Sequence, residues 1–191
     1  MVSTPSTMLD IGTKLPEFTL PDFNGEPHST SDYENEPLLV IFICNHCPYV
    51  KHIVDTLSEK VKDYQSKGVN AVAISANDVN NYPQDSPERM KEFAEANSFS
   101  FPYLYDETQD VAKAFKAACT PDFFLFDDGH RLVYRGQFDS SRPKNDEPVT
   151  GEDLTEAVNA MLEGREIPEE QTPSVGCNIK WIPGNEPDYF S

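Results

Sequence analysis

Two cysteines separated by two residues, Cys44-Asn45-His46-Cys47, follow directly on the apolar run Leu38-Leu39-Val40-Ile41-Phe42-Ile43. Thiols at this spacing can close a small disulfide, and the thiolate is the form that attacks. A buried strand that delivers such a pair to a helix start sets the sulfurs beside unpaired N–H groups and the positive end of the helix dipole. Both favour thiolate over thiol. His46, with Asn45 beside it, is a candidate for tuning the pair. An imidazole near a thiolate stabilises it, and a stabilised dithiol makes its disulfide a stronger oxidant. Zinc normally takes four ligands, and no second C-x-x-C or H-x-x-x-H is present, so no metal is expected. There is no Gly-rich phosphate loop either, and thiol chemistry of this kind requires no cofactor.

The surrounding pattern supplies the elements that would hold these residues. Leu38 to Ile43 is continuously apolar, with β-branched residues at Val40, Ile41 and Ile43, and reads as a central buried strand. Pro48 suits a first helical turn. Val50, Ile53, Val54, Leu57, Val61 and Tyr64 then form one helical face, and Gly68 ends it. Val69 to Ser75 is the next strand. The polar loop Asn77 to Asp85 leads into a helix from Ser86 to Ala96, with Ser86 as N-cap. A short strand is expected over residues 101–105 and a short helix over 110–118. Asp127-Asp128-Gly129-His130 between apolar runs is a hairpin signal. A last helix spans Thr150 to Leu162, with Thr150-x-x-Asp153 resembling a capping box. Residues 1–14 read as a loose N-terminal arm, 15–165 as one α/β domain, and 166–191 as a Pro-rich tail laid over that domain in extended form.

The 191 residues carry a formal charge of −18, which excludes a basic stripe for nucleic acid and disfavours anionic membrane surfaces. The first residues contain neither a basic stretch nor an apolar core, so a cytoplasmic location is expected, where structural disulfides are uncommon.

Four stretches together resemble the peroxiredoxin-like (AhpC/TSA-type) redoxins of the thioredoxin superfamily. They are Phe42 to Val50 (F-I-C-N-H-C-P-Y-V), Phe101 to Glu107 (F-P-Y-L-Y-D-E), Cys119 to Asp127 (C-T-P-D-F-F-L-F-D) and Gly176 to Trp181 (G-C-N-I-K-W). The resemblance implies a thioredoxin fold: a central mixed β-sheet flanked by helices on both faces, with an N-terminal β extension, an inserted helix and an extended C-terminal tail. It also implies a cis peptide at Thr120-Pro121 facing the thiols, with the preceding backbone as the substrate-docking edge.

What the resemblance implies for the reaction is twofold. Read as a thiol–disulfide oxidoreductase, Cys44 is the attacking thiol and Cys47 resolves. Read as a peroxidase, Cys47-Pro48 matches the peroxidatic Cys-Pro, Cys44 stands where that family has Thr, and Arg135 is the candidate supporting arginine. A redox-sensing interaction module is a third, non-enzymatic alternative. Leu38 to Ile43 lacks the buried aspartate that thioredoxins keep before the motif. Cys119 reads as a small buried hydrophobe near the motif, with an auxiliary role in a second redox pair as the alternative. Cys177 reads either as that or as an auxiliary resolving thiol. The implied partners are a disulfide-containing or thiol protein substrate, or peroxide, with a thioredoxin- or glutathione-type reductant. A homodimer is left open.

Overall fold

The computed structural model describes residues 3–190. In chain order its strands are β1 (Thr4–Pro5), β2 (Thr19–Pro21), β3 (Pro27–Ser29), β4 (Leu38–Phe42), β5 (Asn70–Ser75), β6 (Tyr103–Tyr105), β7 (Cys119–Thr120), β8 (Asp122–Phe126), β9 (Leu132–Gly136) and β10 (Val175–Asn178). The helices are α1 (Pro48–Ser66), α2 (Pro87–Ala96), α3 (Asp110–Ala114) and α4 (Glu152–Leu162).

The apolar run is the middle strand of a five-stranded sheet ordered β6-β5-β4-β8-β9. β4 pairs parallel with β5 and antiparallel with β8, while β8 and β9 form the hairpin. This parallel half joined to an antiparallel half is the thioredoxin fold. Because side chains alternate along a strand, β4 feeds two cores. Leu39 and Ile41 pack with Val50, Ile53 and Leu57 of α1, Met90 of α2, and Leu154 and Val158 of α4. Leu38, Val40 and Phe42 face Ala112 of α3, Phe115, Trp181 of the tail and Leu9 of the arm. Helices therefore cover both faces, with α3 helped by the two chain ends. Every β4 residue is buried, each such side chain contributing about 1.5–3 kcal/mol.

Some boundaries differ from the pattern. α3 stops at Ala114, and Lys116 turns through a positive φ of 51°. α4 starts at Glu152 with Gly151 as its N-cap, at φ 66°, so Thr150 and Asp153 form no capping box. The Asp139 carboxylate instead accepts from the Thr150 and Gly151 N–H groups, 2.7 Å each, and organises that turn.

The largest difference lies at the chain ends. The arm is tied down by β1 and by a bridge from Lys14 to Arg131; Met1 and Val2 lie outside the described residues. The tail does more than wrap the domain. Its strand β10 lies between β1 and β7 in a second small sheet.

Candidate active site

β4 ends at Phe42 and α1 begins at Pro48, so the C-x-x-C fills the loop between them. Cys47 is the N-cap residue of α1, with Pro48 at the first helical position, where a missing N–H costs nothing. None of the four cysteines is in a disulfide, and Cys44 and Cys47 are buried. Thr120-Pro121 is cis. Thr120 bridges the pair. Its carbonyl lies 3.3 Å from Cys47 Sγ and its hydroxyl 3.6 Å from Cys44 Sγ.

The two thiols are driven apart in acidity. Cys47 is held well below the ordinary thiol range, first by a hydrogen bond from the Cys177 thiol and then by one from Cys44, against the opposing effect of burial. Its place at the N-terminus of a 19-residue helix acts in the same direction. The Thr120 carbonyl favours the protonated thiol, but one S–H···O contact is outweighed by two donors and the helix end. Cys44 is raised, first by its bond to Cys47, then by burial and by the negative charge of Asp85. One thiolate and one retained thiol result.

Asp85 is the residue that sequence reasoning missed. Its carboxylate is fully buried at the end of the polar loop after β5. Oδ1 accepts from the Asn45 N–H at 2.8 Å. Oδ2 accepts from His46 Nδ1 at 2.6 Å and from the Asn77 amide at 2.9 Å. Burial pushes Asp85 up, yet the His46 and Asn77 hydrogen bonds prevail and hold it below its ordinary value. An aspartate in a polar loop carries no sequence mark of this role. The acid absent from β4 thus arrives from a loop.

His46 is committed first to Asp85. The same Nδ1 is 3.9 Å from Cys44 Sγ, and the ring stacks on Tyr82 at 5.9 Å. Asn45 spans the loop, its amide donating to the Gln84 carbonyl and accepting from the Tyr103 hydroxyl at 2.8 Å. Cys44 Sγ, His46 Nδ1 and an Asp85 oxygen lie within 4.8 Å of one another, a donor set of the kind that holds a metal. The hydrogen bonds around Asp85 already account for its two oxygens.

Cys119 is buried behind the cis peptide, its thiol directed to the Pro121 carbonyl at 3.7 Å. Burial and the neighbouring Asp122 raise it, so it stays a thiol. Arg135 is placed elsewhere. Its guanidinium donates to the carbonyls of Leu9 and Glu169 and to the Gln171 side chain, fastening arm and tail to β9. Cys177 stands opposite Thr120 in the β7–β10 pairing, against Cys47.

The sequence pattern of the AhpC/TSA family matches residues 11–135, nearly two thirds of the chain and all of the C-x-x-C region. The chain belongs to the AhpC/TSA family. It is accordingly a thiol-based oxidoreductase of the redoxin type. An uncharacterized conserved protein from Geobacillus kaustophilus is 50% identical with a TM-score of 0.93, over 96% of this chain and 98% of that one. Thiol-disulfide oxidoreductase ResA from G. kaustophilus is 27% identical over 124 residues, 65% of this chain and 67% of that protein. Peroxiredoxin Bcp from Escherichia coli is 27% identical over 129 residues, 66% of this chain and 78% of its own. This AhpC/TSA chain thus resembles proteins of both names, and the distinction falls to its site.

Proposed function

We propose that this AhpC/TSA protein is a thiol–disulfide oxidoreductase whose working couple is Cys44 and Cys47, with Cys47 as the attacking thiolate. The observation that carries this reading is the position of Cys47 as N-cap residue of the 19-residue helix α1, with Thr120 touching both sulfurs of the pair. The pair's anionic member sits at the N-terminus of α1 and its protonated member is kept so beside Asp85. The order of attack is therefore the reverse of the thioredoxin-type expectation, in which Cys44 attacks first.

The steps follow from the electrostatics. Cys47 attacks one sulfur of a substrate disulfide, and the other sulfur leaves as a thiolate. In the mixed disulfide Cys47 carries no charge, which removes the largest cause of the high Cys44 pKa. Cys44 then loses its proton more readily, to the substrate thiolate released in the first step, and the His46 Nδ1–H lies 3.9 Å from the thiolate that forms. It attacks Cys47 Sγ, leaving Cys44–Cys47 oxidised and releasing the second substrate thiol. Run backwards, the same steps oxidise a dithiol. A cytoplasmic setting with a glutathione- or thioredoxin-type reductant completes the reading.

The test is alkylation by iodoacetamide across pH, with each cysteine read by peptide mass. Cys47 should react at the lowest pH, and Cys47→Ser should abolish disulfide exchange with glutathione. First modification of Cys44 would overturn the assignment.

One observation favours peroxide as the oxidant. The Thr120 edge expected to dock a substrate peptide is occupied by β10. A protein substrate has to displace that strand to reach Cys47, whereas peroxide does not. Against it stand Cys44 in place of the peroxide-orienting Thr and Arg135 bound elsewhere. Stopped-flow loss of thiols with stoichiometric peroxide, compared with a free thiol at the same thiolate fraction, separates the two.

A further inference from the structure

β10 occupies the position that an incoming peptide would take if it added as a strand to the Thr120 edge. It pairs antiparallel with β7, Cys177 opposite Thr120 and Asn178 opposite Cys119. The approach is close because residue 176 is glycine. A Cβ there would lie 1.9 Å from the Thr120 carbonyl oxygen and 2.6 Å from its carbon. Cys177 is thereby set against Cys47, where a substrate cysteine would be.

Cys47 therefore has two other sulfurs as neighbours. Cys44 and Cys177 both hydrogen-bond to it, and Thr120 touches Cys44 and Cys47 while pairing with Cys177. Disulfide exchange proceeds through attack by one sulfur on a disulfide whose other sulfur leaves, and Thr120 gathers three sulfurs around one residue. The two neighbouring sulfurs differ in their surroundings. Cys44 is 1% exposed and enclosed by the Asp85 loop, whereas Cys177 is 5% exposed and carried on the tail. The strand bearing Cys177 pairs over two residues on either side and is anchored beyond them by Ser174, Ile179 and Lys180, which fixes Cys177 beside Cys47.

We propose that Cys177 is a third redox thiol of this site, which takes over the disulfide from Cys44 and presents it, as Cys47–Cys177, to the external reductant. The inference rests on the Cys44–Cys47 couple proposed above. In the transfer step the Cys177 sulfur, deprotonated as it attacks, bonds to Cys47 Sγ. The Cys44–Cys47 bond breaks, and Cys44 leaves as a thiolate that takes up a proton. One S–S bond is made and one lost, so no oxidant is consumed. An external thiol then attacks Cys177, and Cys47 leaves as its stabilised thiolate. The tail strand thus acts as a tethered substrate.

The experiment is disulfide mapping by peptide mass after treatment with one equivalent of diamide and acid quenching. The full-length wild type is compared with Cys44→Ser, Cys177→Ser and Gly176→Ala. The expected result is Cys44–Cys47 together with Cys47–Cys177 in the wild type, and Cys47–Cys177 alone in Cys44→Ser. Cys177→Ser should yield Cys44–Cys47 alone. Gly176→Ala retains all four cysteines and should also lose the Cys47–Cys177 link while keeping Cys44–Cys47. A Cys44→Ser protein with native circular dichroism and no Cys47–Cys177 link, alongside a wild type that forms Cys44–Cys47, overturns the third thiol and leaves the dithiol couple standing. A wild type that forms no disulfide at Cys47 overturns both.

Discussion

Gly176→Ala exposes the dependence of the thiolate on the tail. The new Cβ would stand 1.9 Å from the Thr120 carbonyl oxygen, where ordinary contact begins at 3.4 Å, so β10 has to retreat from β7 by about 1.5 Å. The obstacle is backbone next to a cis peptide, not a side chain that can swing away. Two effects follow. Overpacking of this kind costs about 1–3 kcal/mol of stability, readable as a lower urea midpoint. The Cys177 donor also withdraws from Cys47, and a hydrogen bond to a charged group contributes about 1.5–3 kcal/mol. The Cys47 pKa should therefore rise by about 1 to 2 pH units. Iodoacetamide alkylation of Cys47 against pH measures this, with Cys177→Ala as the control that removes the donor without moving the strand. Both variants should shift the profile to higher pH. If Gly176→Ala alkylates along the wild-type curve and unfolds at the wild-type midpoint, the reasoning from close approach to thiolate stabilisation is refuted.

Further perturbations probe the other parts of the site and core. Asp85→Asn replaces one of the two accepting oxygens by a donor and removes a negative charge beside Cys44, so stability should fall by about 1.5–3 kcal/mol in urea titration and Cys44 should alkylate at lower pH. Because the folded Asp85 pKa is depressed, its stabilisation is present above the unfolded value of 3.8 and is lost as pH falls through the folded one. Asp122 has the opposite sign: complete burial pushes it up to about 7. Between pH 3.8 and about 7 the unfolded chain ionises while the native one stays protonated. Stability therefore declines across that window, by about 4 kcal/mol at its upper end, and is flat above it. Asp122→Asn should remove this decline from unfolding measured at several pH values. Phe115 is fully buried, with ring contacts to Phe18, Phe42, Phe124 and Phe126, so Phe115→Ala should cost about 3–5 kcal/mol by urea unfolding.

The elements around the thiols were legible because each has a local cause. The β4 run is apolar throughout, α1 combines Pro48, a periodic face and Gly68, and Ser86 caps α2. The cis peptide was legible only through resemblance, since nothing local to Thr120-Pro121 marks it. Legibility ends where the cause is distant in the chain. Asp85 meets His46 across 39 residues, and Gly176 meets Thr120 across a strand pairing that no periodicity announces. A four-residue strand such as β10, with proline upstream and glycine inside it, has too little alternation to declare itself. Arg135 shows the converse: its position on β9 was readable, but the direction of its guanidinium was settled by Leu9 and Glu169 from the two chain ends.

The delivery of Asp85 by a loop also bears on how such a centre can diverge. In a protein whose proton-handling acid lies within the central strand, changing that acid disturbs the layer on which the fold depends. Here β4 is apolar from end to end, and the carboxylate that adds to the raised pKa of Cys44 hangs from the segment between β5 and α2. Replacement of that segment can reset the potential of the cysteines while the sheet beneath them keeps its sequence.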